Sequence, residues 1–172
     1  MVIVVLAAGC ARPEASQPPA NDETDVRFAQ HMVPHLLQTT AIANLAQDRI
    51  SRPELARLAD AIDRQAQAHL AQLQGWLASR GLAPYDPQQD PNRRTETDLQ
   101  RLARIRGANF DLAFLKVMTA RHRAASRLAA TEARQGSVPE LRQLAQQLLA
   151  QQQAQTATMT NWTRAWFREQ GR

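Results

Sequence analysis

The sequence has one cysteine, Cys10, and one lysine, Lys116. A single cysteine excludes an internal disulfide and any cysteine-based zinc site. Aromatic residues make up only 5% of the chain. β-branched runs are absent after residue 5, which removes the material of a sheet. There is no Gly-rich phosphate loop, no Gly-x-Ser-x-Gly, no His-Glu-x-x-His and no Glu-x-x-His. The side chains of a nucleotide-binding loop, a serine hydrolase, a zinc protease and a carboxylate-bridged di-iron centre are therefore missing. The expectation is a protein without catalytic activity. The apolar run at the N terminus is too short to span a bilayer, and no other run approaches that length.

What is present favours helix. Hydrophobic residues are 44% of the 172, and Ala, Leu, Gln and Arg dominate. These straight-chain residues lose little rotamer freedom in a helix. The net charge of +5 raises the question of a nucleic-acid partner. The basic residues are scattered along every helical segment, which reads as a solvated face, so no nucleic-acid partner is expected.

The chain opens with an apolar stretch ending Ala7-Ala8-Gly9-Cys10. This resembles the end of a bacterial lipoprotein signal, in which small residues fit the peptidase and the thiol receives the lipid. Such signals also carry a basic start and a longer apolar core. Neither is seen here, so a start upstream of Met1 is expected. Residues 1–9 then read as a signal remnant, and 10–24, with Pro13, Pro18 and Pro19, as a flexible tether. The expected location is extracytoplasmic, anchored to the cell membrane through Cys10. The alternative is an incidental free cysteine beside a short apolar start.

The remaining chain, 25–172, repeats itself at an offset of 86. Asp25 and Phe28 fall on Asp111 and Phe114, Met32 on Met118, and Ser51, Pro53, Glu54 and Leu55 on Ser137, Pro139, Glu140 and Leu141. Trp76 falls on Trp162. The units are 25–80 and 111–166, joined by a connection, 81–110, that holds Pro84, Pro87 and Pro91 and a short helix from about Thr95 to Arg106 ended by Gly107. Each unit reads as a helical hairpin. A first helix runs from about Asp25 to Arg49. Ser51 with Glu54, and Ser137 with Glu140, form expected capping boxes that start the second helices. Apolar residues from Leu55 to Leu77 recur at spacings of three and four. Gly81 and Gly136 are placed to end helices. Two hairpins that each bury one stripe satisfy one another as an all-α four-helix bundle.

Phe28-Ala-Gln-His31-Met32-Val-Pro34-His35 and Asp111-Leu-Ala-Phe114…Met118…His122 resemble the duplicated phrases of the DUF305 family, each completed by Pro-Glu-Leu and a later Trp. The resemblance covers roughly 25–166. It implies a secreted or lipid-anchored bacterial protein with a ferritin-like bundle, and binding of copper or silver through His and Met. The family's His-His pair is His35-Leu36 in the first unit and Arg121-His122 in the second. Its Glu and Met near the end of each unit are His69 and Leu73, then Gln155 and Met159.

On their own chemistry, His31 and His35 lie four apart on one helical face and make a two-ligand clamp, with His69 as a third ligand across the hairpin. Met118 and His122 have the same spacing. Three imidazoles suit Cu(II) or Zn(II), and a thioether with an imidazole suits Cu(I). The same residues also fit boundary histidines and core methionines. Two functions stay open. One is an envelope protein binding copper, or zinc, through His31, His35, His69, Met118 and His122. The other is a structural lipoprotein that contacts another envelope protein after its metal site has degenerated.

Overall fold

The computed structural model describes residues 22–86 and 97–170. Cys10 with its lipobox, most of the tether, and Pro87 and Pro91 of the connection lie outside the described residues. The described elements are α1 (Asp22–Ala46), α2 (Pro53–Ser79), α3 (Asp98–Ala103), α4 (Ala108–Gln135) and α5 (Pro139–Gln170). No strand occurs among the described residues. α1 packs along α2 and α4 along α5, and the two hairpins meet chiefly through α1 against α4, with α3 beside both. The architecture is a four-helix bundle with one short extra helix.

The helix ends follow local chemistry, with some departures from expectation. Gly81 adopts φ 65° after α2. Its N–H reaches the Ala78 carbonyl and the Leu82 N–H reaches that of Leu77, each at 3.0 Å, which forms a Schellman motif. α1 stops at Ala46 rather than Arg49. α3 is shorter than expected and starts with a Thr97–Gln100 capping box. Gly107 does not terminate it. At φ 62° it is instead the residue that opens α4.

Pro34 lies inside α1 and leaves the Gln30 carbonyl without its helical donor. The connection after α2 supplies the missing bond. The Tyr85 N–H donates to the Gln30 carbonyl at 3.0 Å, and Gln30 Nε2 donates to the Ala83 carbonyl at 2.9 Å. The proline thus fastens the connection to α1.

The expected Ser51 and Ser137 caps are replaced by a different device. A residue before proline is pushed to extended backbone. Arg52, at φ −99° and ψ 119°, is therefore the N-cap of α2, one residue later than Ser51, and no side chain of its own caps it. Val138 holds the same place at α5, since its carbonyl accepts from the Arg142 N–H at 3.0 Å. The acceptors come from the opposite hairpin. Asp111 Oδ1, in the first turn of α4, accepts from the Ser51 N–H at 3.0 Å. Asp25, near the start of α1, accepts from the Ser137 N–H at 2.9 Å, the Ser137 hydroxyl at 2.7 Å and the Val138 N–H at 2.9 Å. Asp25 and Asp111 are equivalent positions of the repeat, so the hairpins exchange caps. Glu54 and Glu140 sit in the first turns of α2 and α5, where the helix dipole favours an acid.

Glu132 adds a second carboxyl to the Asp25 end. It is fully buried below Gly136, and a Cβ on that glycine would collide with the Glu132 carboxyl. Burial and the neighbouring Asp25 push the Glu132 carboxyl up to about 8. Burial alone would also raise Asp25, but its bonds to Ser137 and Val138 outweigh that and hold it below the usual carboxylate range.

The core divides into two apolar clusters. One joins Phe28, Met32 and Val33 of α1 to Leu73 and Leu77 of α2 and Leu141, Leu144 and Leu148 of α5. The other joins Ile42, Leu55 and Ile62 to Phe110, Phe114, Met118, Met159 and Trp166. Trp76 and Trp162, equivalent in the repeat, are both half-buried at the edge of a cluster. Each is covered by the side chain four positions on. The Arg80 guanidinium lies 4.0 Å from the Trp76 ring centre, and Trp166 stacks on Trp162 at 5.6 Å.

Candidate functional site

Polar residues occupy the middle of the bundle. A cavity of ≈ 20 Å³ is lined by His69, His122 and the glutamines 65, 151, 152 and 155, closed by Leu36, Ile62 and Leu148. The lining pairs off at the repeat offset: Gln65 with Gln151, His69 with Gln155, Leu36 with His122, and Ile62 with Leu148. The cavity therefore sits where the two hairpins present equivalent positions to each other. It is the size of one water molecule or one ion.

The hydrogen bonds here run in a chain from α4 through α5 and across to α2 of the other hairpin. His122 Nε2 meets Gln155 Oε1 at 2.7 Å, and Gln155 Nε2 donates to Gln65 Oε1 at 2.8 Å. His122 Nδ1 is buried without a hydrogen-bond partner among the described residues. His69 is buried and contributes its ring from α2. Burial holds both imidazoles below the usual histidine range. For His122 the Gln155 bond opposes that shift, and the charge of Arg121 adds to it. Both rings are thus neutral near pH 7, the form that binds a metal.

Beside this cavity stands a buried cation. Arg121 donates from Nη2 to the His35 carbonyl at 2.8 Å and from Nη1 to Gln38 Oε1 at 2.9 Å. Asp98 of α3 lies 3.9 Å away. Arg121 is the repeat equivalent of His35, so the two members of that pair touch each other. A strip of His35 still meets solvent, but burial, Arg121 and His122 together push its ring down to about 3.

The structure separates the histidines that helical spacing had grouped. His31 stacks on Tyr85, ring centres 4.4 Å apart, at the strapped connection. His35 lies beside Arg121. His69 lines the cavity with His122. Met118 is fully buried in the Phe110–Phe114 cluster, as its equivalent Met32 is in the other, rather than on the cavity wall. Among the described residues no three His, Cys, Asp or Glu side chains gather to hold a metal ion. The His31–His35–His69 set is not assembled, because Pro34 and Tyr85 give His31 another neighbour. Of the cavity glutamines, Gln65 and Gln151 were marked in the sequence by their coincidence in the repeat and Gln155 by standing where the family phrase has Glu, while Gln152 carried no signal. Arg121 carried one: it stands where the repeated phrase calls for histidine.

A duplicated helical hairpin closed around a central polar cavity defines the class of protein. The family model "Domain of unknown function (DUF305)" matches residues 25–163, and the chain belongs to that family. Among solved structures, CopM in its Cu(I)-bound form is 25% identical, with a TM-score of 0.70 over 83% of this chain and 97% of CopM. CopM has also been solved with Cu(II) and with silver. A DUF305 fragment from Deinococcus radiodurans superposes with a TM-score of 0.72 at 23% identity, over 81% of this chain and 95% of the fragment. A DUF305 protein from Streptomyces coelicolor gives 0.73 at 23%, over 83% of this chain and 92% of that one. No curated protein matches the chain by sequence. No described helix is long and apolar enough to cross a membrane.

Proposed function

We propose that this chain is a non-catalytic, extracytoplasmic protein that holds one soft transition-metal ion, copper first, between His69 and His122. The observation that carries the reading is the convergence of two neutral imidazoles, one from each hairpin, on a cavity of ≈ 20 Å³. Imidazole nitrogen suits copper and zinc, and two nitrogens meet the low coordination number of Cu(I) and Ag(I), with His122 Nε2 exchanging its Gln155 bond for the ion. The amide oxygens of Gln65, Gln151, Gln152 and Gln155 supply further oxygen donors or hold the rings. The copper and silver forms of CopM, which covers most of this chain, support the same direction. Titration of the protein with Cu(I) and Ag(I) under anaerobic conditions tests it. His69→Ala and His122→Ala should each weaken binding by about 10–100-fold, the effect expected of lost ligand or supporting contacts. His31→Ala should change nothing. Equal binding by the parent and the His69→Ala/His122→Ala double variant would sink the site.

Arg121 favours a second reading, a structural envelope protein that has lost metal binding. Its fixed positive charge beside His35 and His122 opposes any cation in the cavity. In that case the parent binds metal no better than a surface-histidine control, and Arg121→Gln raises the affinity. Under either reading the anchor is Cys10. A Cys10→Ser variant should leave the membrane fraction; unchanged retention removes the lipoprotein part of the proposal.

A further inference from the structure

The outer face of the second hairpin carries a feature unrelated to the metal reading. A groove of ≈ 580 Å³ runs between α4 and α5. Leu112, Ala113, Ala120 and Phe167 give it apolar walls, and Lys116, Arg123 and Arg164 line it as well. Phe167 is 61% exposed and, with Leu37, is one of the two large hydrophobic residues exposed among the described residues. We propose that this groove binds an anionic phospholipid of the membrane surface, an acyl chain lying against Phe167 and the head group on the three cations.

The charge pattern supports that occupant. Neither 112–131 of α4 nor 141–168 of α5 contains a single acidic residue. The positive field of Lys116, Arg123 and Arg164 is therefore uncompensated along both walls, and Arg127 extends it into the adjoining depression. In the sequence these cations are spread over some fifty positions, and only the antiparallel pairing of α4 with α5 gathers them. A volume in the range of ligand pockets, an exposed aromatic ring and basic side chains without acids form the combination that amphipathic interfacial surfaces use on anionic lipid.

The first hairpin provides the internal comparison. The positions equivalent to Lys116, Arg123, Arg164 and Phe167 are Gln30, Leu37, Ala78 and Gly81, none of them charged. There α2 ends at Ser79, and the connection folds back over α1 through Gln30, Ala83 and Tyr85. In the second hairpin α5 runs on to Gln170, and among the described residues nothing folds back over the corresponding groove. Duplication gave both hairpins the same fold, and at these four equivalent positions only the second carries cations and an aromatic ring.

The test is co-sedimentation of the full chain carrying Cys10→Ser, so that no acyl anchor contributes, with phosphatidylcholine vesicles with and without phosphatidylglycerol. The expected result is binding that requires phosphatidylglycerol. The Arg123→Glu/Arg164→Glu variant should lose about tenfold or more in partitioning. Phe167→Ala and Ala120→Trp, which remove the ring and fill the groove without touching charge, should each lose about fivefold or more. A charge-matched reversal on α2, Arg57→Glu/Arg64→Glu, should stay within about twofold of the parent. Equal binding to neutral vesicles overturns the proposal. So does parent-like binding by both Phe167→Ala and Ala120→Trp, which would reduce the effect to charge adhesion. An equal loss from the α2 reversal would do the same. All the side chains altered in these four variants are exposed, and unchanged melting temperatures verify that the fold is intact.

Discussion

Replacing Asp25 by alanine tests the exchange of caps between the hairpins. Asp25 is 0% exposed and accepts three hydrogen bonds from the start of α5. Hydrogen bonds to a charged group contribute about 1.5–3 kcal/mol each, and a buried donor left unpaired costs about 1–3 kcal/mol. These terms do not add in full. The Ser137 and Val138 donors are only partly buried, and water can enter the space left by the carboxylate. Glu132 also loses an unfavourable neighbour. The net cost of Asp25→Ala is therefore about 3–4 kcal/mol. Asp111→Ala removes one such bond, to the Ser51 N–H, and should cost about 1–2 kcal/mol. Urea unfolding read by circular dichroism measures both. The slope should be unchanged, and the melting temperature of the Asp25 variant should fall by about 10 °C. The difference also depends on pH. Because the folded-state pKa of Asp25 is lowered, its contribution is fully present above the unfolded value of 3.8 and is lost as pH falls through the folded value. A cost for Asp25→Ala no larger than for Asp111→Ala, or below about 1 kcal/mol at neutral pH, would refute the cross-capping argument.

Glu132 titrates in the opposite sense. Its folded pKa of about 8 lies above the unfolded 4.5, so its stabilisation is present below pH 4.5 and is lost as pH rises to about 8. Glu132→Gln should flatten that part of the pH–melting profile. His35, held at about 3 in the fold against 6.5 unfolded, makes stability decline as pH falls below 6.5, and His35→Gln should reduce that acid sensitivity in the same melts. Gly136→Ala should cost about 1–3 kcal/mol through collision with the Glu132 carboxyl, and Glu132→Ala in the same chain should recover part of it. Ser51→Ala should stay within about 0.5 kcal/mol in urea unfolding, since Ser51 is engaged through its backbone N–H.

The helices were legible because their signals are local. Apolar spacing from Leu55 to Leu77, proline at the first turn of α2 and α5, and Gly81 after α2 act within a few residues of one another. The offset that puts Asp25 on Asp111 and Trp76 on Trp162 carried the pairing of hairpins as well. The caps were misplaced by one residue because Ser51 and Ser137 match a familiar phrase, while Pro53 and Pro139 force the residue before them into the capping position. The aligned Asp25 and Asp111 were already in the repeat, but their target could be known only with the opposite helix in place.

The histidines show the same boundary. Spacing of four puts His31 beside His35 on an ideal helix, and it says nothing about what a neighbouring element places against either ring. Tyr85, fastened to the carbonyl that Pro34 frees, covers His31. Arg121 crosses from α4 to reach His35, and the cavity joins His69 to His122 from residues far apart in the chain. By itself the sequence determined the helices, the duplication and the family, because propensity, apolar period and turn chemistry are properties of short stretches. The tertiary structure alone decided which polar groups meet in the middle of the bundle and which cations share a groove, because those contacts form between helices whose side chains have no fixed relation until the bundle closes.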